Sequence, residues 1–268
     1  VLKDITLGQY HPGDSPIHRL DPRSKLLLTI AYITAVFLVQ SAAGYLLPLA
    51  YLLLVTWLAG IPLRYLLKGI KPLTMILALT FVLNLFFAQG ETVWLQWGFL
   101  RLTQEGFTTA LFFSLRLVFL VMGTSVLTLT TSPVALTDAM ERLLSPLRVI
   151  RFPAHELAMM MSIALRFIPT LLEETDKIMK AQMARGADFE SGNLMRRAKA
   201  MVPLLVPLFV GAFQRASDLA MAMEARCYRG GEHRTRMKVL RFSRLDVLAA
   251  LSMLALVLLI MGEGSLYG

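Results

Sequence analysis

Long, unbroken apolar runs alternate with short polar segments along the first half of the chain and return near its end. They lack the two-sided pattern of a surface helix and read as membrane-spanning helices. Five runs cover about 25–40, 45–60, 72–88, 107–130 and 245–261. Several are 16 or 17 residues long, about 24–26 Å as helix against a hydrocarbon core of about 30 Å. Their ends are therefore expected to extend past the apolar residues. The first begins with good helix chemistry, since Asp21 can cap it and Pro22 suits its first position. Pro48 sits near one end of the second, where it is tolerated.

Between the fourth and fifth runs the pattern changes to one apolar face per helix. Three such helices are expected: about Pro133–Val149 with a cap at Ser132, His155–Arg185, and Asn193–Arg226. The second carries Leu157, Met160, Met161, Ala164, Leu165 and Ile168 at helical spacing. Pro169 is expected to kink or divide it, and Pro203 and Pro207 to bend the third. The apolar stretch Met201–Phe213 is 13 residues long, too short to span and right for an interfacial or core helix. Residues 89–106, with Val93, Leu95, Trp97 and Phe99 in near-alternation, fit either a short hairpin or interfacial aromatics.

Composition agrees with a polytopic membrane protein. The 268 residues are 56% hydrophobic and 17% charged, against about 45–50% and 25% in soluble domains. The formal charge is +9. Because the basic residues flank apolar runs, it points to anionic headgroups or an acidic partner rather than to nucleic acid. The polar segment Val1–Asp14 shows no signal-peptide core, so insertion is expected to rely on the first span. Arg19, Arg23 and Lys25 precede that span, Arg64, Lys68 and Lys71 lie between the second and third, and 132–244 holds 18 of the 27 Lys and Arg. The positive-inside rule then sets the N-terminus and 132–244 in the cytoplasm. The expected organisation is a four-span membrane domain over 1–131, a cytoplasmic helical domain over 132–244, and a last span over 245–268.

Candidate chemistry is sparse. No P-loop occurs, His11, His18, His155 and His233 are scattered, and the lone Cys227 excludes an intrachain disulfide. Away from their terminal turns the spans carry no Asp, Glu or Lys, which disfavours a proton or ion pathway. Arg116 is the one charge deep in a span. It reads as either a functional group or a structural one hydrogen-bonded to a neighbouring helix, with Asn84 as a candidate partner. Two triplets stand out: Ala184-Arg185-Gly186 and Ala225-Arg226-Cys227 each close a long amphipathic helix, 41 positions apart. An arginine followed by glycine is an ordinary helix end. Two alike suggest docking, because guanidinium forms oriented, bidentate pairs with carboxylates. Eleven of the 15 methionines fall in 132–244, either as core filling or as an adaptable binding surface.

These residues resemble the transmembrane T component of energy-coupling factor (ECF) transporters, the ABC-type vitamin and metal-ion importers of prokaryotes. The resemblance rests on Leu20-Asp21-Pro22-Arg23-Ser24-Lys25, on Leu165-Arg166-Phe167-Ile168-Pro169 followed by Glu173-Glu174, on Ala181 to Gly186, and on Glu224 to Gly230. It implies an all-α polytopic membrane protein of about five transmembrane helices with long cytoplasmic coupling helices between spans four and five. It also implies a non-catalytic subunit without a cofactor of its own, whose partners are two cytoplasmic ATPases that bind ATP and magnesium, and an interchangeable substrate-binding S component. The triplets match the family's two X-Arg-X motifs, which place Ala184, Arg185, Gly186, Ala225, Arg226 and Cys227 in ATPase grooves. Cys227 departs from the family's usual glycine or serine, which bears on the helix-end geometry there. Met159, Met160, Met161, Leu165, Leu204 and Leu208 are the expected S-component surface. A conventional ABC permease with its own translocation path, or a membrane enzyme acting on lipids, are the competing readings. The apolar spans and the absence of a nucleophile or metal cluster speak against them.

Overall fold

The computed structural model describes residues 10–87, 92–97, 100–150, 152–187, 189, 194–230 and 240–267. Gly98 and Phe99 of the expected hairpin, and Asn193 at the expected start of the third amphipathic helix, lie outside them. Nine α-helices occur among the described residues: α1 Pro22–Leu38, α2 Leu46–Ala59, α3 Leu63–Ile70, α4 Thr74–Phe87, α5 Gln104–Thr130, α6 Pro133–Leu144, α7 Ala154–Ala184, α8 Leu194–Ala225 and α9 Arg244–Tyr267. Strands β1 Val93–Trp97 and β2 Leu100–Thr103 pair antiparallel before α5, so the segment is a hairpin inside an otherwise all-α protein. The chain divides within α6 into two compact units, one containing α1–α5 and α9, the other α7 and α8.

The expected extension of the spans is uneven: α1 starts earlier, at Pro22, but ends at Leu38, and α2 stays within its apolar run. A tight helical turn joins α3 to α4, giving a continuous apolar stretch over Leu63–Phe87. α5 starts at Gln104, and α9 reaches Tyr267. Five stretches are long and apolar enough to cross a membrane: Leu63–Phe87, Gln104–Thr130, Ala154–Ala184, Met201–Ala225 and Arg244–Gly264. α7 and α8 qualify only weakly, with mean hydropathy 1.2 against 1.9–2.4 for the others. Ala43–Ala59 is a shorter apolar helix. The protein is a multi-pass membrane protein.

In the unit containing α1–α5 and α9, one apolar core gathers Tyr32, Ala35 and Val36 of α1, Leu52 of α2, Leu66 of α3, Phe119, Val126 and Leu129 of α5, and Met253, Leu256 and Ile260 of α9. α4 contributes no buried residue. Its exposed Met75, Ile76 and Leu79 form a lipid-compatible surface. α1 and α5 run antiparallel: Lys25 meets the α5 end at Thr130, and Arg116 meets the α1 end at Val39. α9 runs parallel to α1, because Asp21 contacts Asp246 at one end and Ser41 contacts Glu263 at the other. The start of α1, the end of α5 and the start of α9 therefore share one end of the bundle.

That end is closed by buried polar groups. The Lys25 ammonium donates to the carbonyls of Thr130 (2.9 Å) and His18 (3.1 Å). Asp21 caps α1 by accepting from Arg23 N–H, and Arg23 lies 4.3 Å from the centre of the Phe242 ring. Asp246 closes a capping box on Ser243, whose N–H (2.7 Å) and hydroxyl (2.8 Å) donate to it. The other oxygen of Asp246 accepts the Asp21 N–H at 2.9 Å. Lys25, Asp21 and Asp246 are all buried.

Two expectations are altered. Arg116 does not pair with Asn84, whose amide donates to its own helix at Thr80. Instead Arg116 donates to the Val39 carbonyl at 3.3 Å and lies over the Phe37 ring. A helix end offers unsatisfied carbonyls at negative dipole potential, and a guanidinium suits that site better than an amide does. Of the two outcomes expected at Pro169, division is excluded, since α7 runs through it unbroken; α8 likewise continues through Pro203 and Pro207. A proline removes one helical hydrogen bond, and the bonds on either side carry the helix through.

Replacing Lys25 with Ala leaves two carbonyls at the closed end without their donor. An unsatisfied buried group costs about 1–3 kcal/mol, so the purified chain should unfold several degrees lower. The exposed Arg241→Ala should change stability by less than about 0.5 kcal/mol. Equal thermal unfolding of the two variants would contradict this account.

Candidate functional site

The two triplets sit at the ends of α7 and α8, and they end alike. At the α7 end, Gly186 N–H donates to Met183 O (2.9 Å) and Ala187 N–H to Gln182 O (3.0 Å). At the α8 end, Cys227 N–H donates to Glu224 O (2.8 Å) and Tyr228 N–H to Met223 O (3.0 Å). Both are Schellman motifs, in which the residue after the cap turns left-handed and its successor bonds back five residues. Gly186 has φ 90° and Cys227 has φ 55°. Arg185 and Arg226 are thus the cap residues of two matched helix ends. Each of their backbone N–H groups bonds three residues back, at 3.0 and 3.1 Å.

All six triplet residues are exposed. Cys227 is the one non-glycine residue with positive φ among the described residues. A left-handed conformation costs an ordinary residue roughly 1–2 kcal/mol. The departure from glycine at Cys227 therefore leaves the cap geometry intact and places strain beside Arg226. Such strain persists where surroundings enforce it, often at a functional site.

The expected S-component residues divide by burial. Met160 and Met161 on α7 are 54% and 45% exposed. Met159 and Leu165 are half-buried. On α8, Leu204 is buried and Leu208 half-buried. The exposed apolar face of α8 is instead Met201, Val202, Leu205, Val206, Phe209 and Phe213. One residue is a rotation of about 100° on a helix, which is enough to separate the buried Leu204 from the exposed Leu205.

α7 packs on α8 through a contact that hydrophobic periodicity does not reveal. The Glu174 carboxylate and Arg215 guanidinium pair directly, with side chains 26% and 31% exposed. Gly211 lies beneath, where a Cβ would come within 3.0 Å of the Glu174 carboxylate. A signal for this pair was present in the sequence, since 174 and 215 are separated by the same 41 positions as Arg185 and Arg226. A second ion pair, Glu141–His155 at 2.9 Å, joins the end of α6 to the start of α7. Among the described residues, no group of three His, Cys, Asp or Glu side chains could hold a metal ion.

The two helix ends make a paired test of backbone strain. Cys227→Gly should stabilise the last turn of α8 by about 1 kcal/mol, and Gly186→Ala should weaken that of α7 by a similar amount. Amide hydrogen exchange at the two final turns reads both. Unchanged protection of α8 in the glycine variant would remove strain from the account.

Comparison with known proteins places this architecture. Residues 13–237 match the family model described as cobalt transport protein, CbiQ. The energy-coupling factor transporter transmembrane protein EcfT of Thermosediminibacter oceani is 59% identical over 248 residues, covering 92% of this chain and 93% of that one. The protein of the same name from Clostridium kluyveri is 56% identical over 258 residues, 96% of each chain. That from Bacillus subtilis is 47% identical over 260 residues, 97% of this chain and 98% of the other. At these identities over nearly the full length, the chain belongs to the cobalt transport protein family and, within it, to the non-catalytic transmembrane components of energy-coupling factor transporters.

Proposed function

We propose that this chain couples ATP hydrolysis in two cytoplasmic ATPases to a membrane S component during micronutrient import. ATP and magnesium belong to the ATPases, and the substrate belongs to the S component. Arg185 and Arg226 dock one ATPase each, through carboxylates in grooves that accept the small neighbours Ala184, Gly186 and Ala225. The observation that carries this reading is the pair of matched, exposed, arginine-bearing helix ends. A helix end that only needs capping uses any C-terminal residue before the left-handed turn. Here the same cap presents the same side chain twice, once through glycine and once through a strained cysteine.

The N-terminus and the unit containing α7 and α8 lie in the cytoplasm in this reading. The shared bundle end supports it, since the chain leaves after Thr130 and returns before Arg244 at that one end, and the basic residues concentrate between. Met160, Met161 and the exposed α8 face from Met201 to Phe213 are the surfaces available to the S component or to lipid.

Charge-assisted hydrogen bonds contribute about 1.5–3 kcal/mol each, or roughly 10- to 150-fold in affinity. Each of Arg185→Ala and Arg226→Ala should weaken retention of one ATPase by that factor, and the double variant should lose both. Co-purification of the complex from native membranes measures it. A double variant that holds both ATPases normally would falsify the docking role. The single cysteine, Cys227, also reports orientation because it is exposed. In the chain without its partners, a membrane-impermeant maleimide should label it in inverted vesicles and not in intact cells. The reverse pattern would invert the topology.

A further inference from the structure

The 41-position offset relates more than the two docking arginines. It maps the start of α7 to within one residue of the start of α8, Gln182 to Met223, Gly186 to Cys227, and Glu174 to Arg215. Of these matched pairs, Glu174 and Arg215 touch each other. When equivalent residues of two similar elements meet, the local two-fold axis passes between them, as in an isologous interface. From each of these residues to its docking arginine is the same distance, 11 positions, or about 16 Å of helix at about 1.5 Å per residue. α7 and α8 are thus two arms of equal length measured from one contact.

That contact has the properties of a pin. Glu174 Oε2 and Arg215 Nη1 are sealed from solvent, and among the described residues neither has a hydrogen-bond partner beyond the ion pair itself. The rest of each side chain is partly exposed, so the pair acts as a directional tie whose two contacting atoms are covered by the helix contact, rather than as a buried ion pair. Gly211 lets the α8 backbone approach the Glu174 carboxylate, which an added Cβ would meet at 3.0 Å. Pro169 and Pro207 lie on the side of the pin away from the arginines, five positions before Glu174 and eight before Arg215. A proline weakens the helix where it removes a hydrogen bond. The segments between pin and arginines contain no proline. Stiff, equal arms therefore lie on the docking side and softened helices on the other.

We propose that Glu174 and Arg215 are positioning residues that pin α7 to α8 at the midpoint between the two docking ends. Displacement received at Arg185 or Arg226 then turns both arms about one point instead of letting each helix slide alone. This rests on the docking reading for its purpose, but the pin is testable without the ATPases.

The test uses the full chain in lipid nanodiscs, with Cys227→Gly removing the native thiol. Spin labels are placed at Met183→Cys and Glu224→Cys, another pair related by the offset of 41. Electron–electron distance measurements should give one narrow distribution between the arm ends. Glu174→Gln and Arg215→Gln, which keep much of the side-chain volume, should each broaden it at least twofold. Arg215→Lys, which keeps the charge, should stay near the parent. The exchange Glu174→Arg with Arg215→Glu should restore a narrow distribution. An unchanged width in the two glutamine variants overturns the pin. So does broadening by Arg215→Lys equal to that by Arg215→Gln, since the charge would then not be the holding element. Failure here leaves ATPase retention by Arg185 and Arg226 untouched, whereas normal ATPase retention by the double alanine variant removes docking and leaves the pin standing.

Discussion

The ammonium of Lys25, held between the carbonyls of His18 and Thr130, is the interaction on which the membrane bundle depends. A helix ending near a bilayer boundary exposes carbonyls that neither lipid nor a neighbouring helix face can satisfy. Here the last residue of α5 is satisfied by a side chain from the first turn of α1, which fixes the register of two antiparallel helices at once. Asp246 performs the converse task at the start of α9. It accepts backbone N–H groups from its own first turn and from Asp21. Cation to carbonyl and carboxylate to N–H each follow the sign of the helix dipole. At the opposite end Arg116 repeats the first arrangement on Val39.

Helix ends govern the other unit as well, but their solution is local. α7 and α8 close on Schellman turns made wholly of backbone, which leaves the cap side chains uncommitted. That difference separates two classes of otherwise similar basic residues. Lys25 and Arg116 are consumed by backbone carbonyls. Arg185 and Arg226 stand exposed on caps complete without them. A guanidinium already committed to a helix end could not receive a partner.

Much of this was legible in the sequence, and the failures have definite causes. The spans were visible because lipid demands unbroken apolar runs. The caps at Asp21 and Ser132 were visible because few residue types can make them. The partner of Arg116 was not, because a backbone carbonyl is carried by every residue and marks no position. The burial of Leu204 beside an exposed Leu205 was not legible, because adjacent residues face directions about 100° apart and a run apolar on most positions gives no phase. The Glu174–Arg215 pair was not evident, because the offset of 41 stands out only where both copies repeat the same residue, and this pair is of opposite charge.

The two units meet this logic through chain connectivity. The segment carrying α7 and α8 leaves the bundle just after Thr130 and rejoins it at Leu240 to Arg244, and both points belong to the closed polar end. Thr130 is bound by Lys25, Leu240 accepts from Arg23, Phe242 lies against the Arg23 guanidinium, and Ser243 is bound by Asp246. Any tension passed along the backbone from the arms therefore reaches helices already tied to one another. A bundle tied only by apolar contact could slide under that load, since lipid replaces a lost helix contact at little cost. Buried, directional polar contacts cannot be exchanged for lipid in that way. The polar cluster at the span termini is accordingly what holds α1, α5 and α9 in register where the chain leaves the bundle and re-enters it.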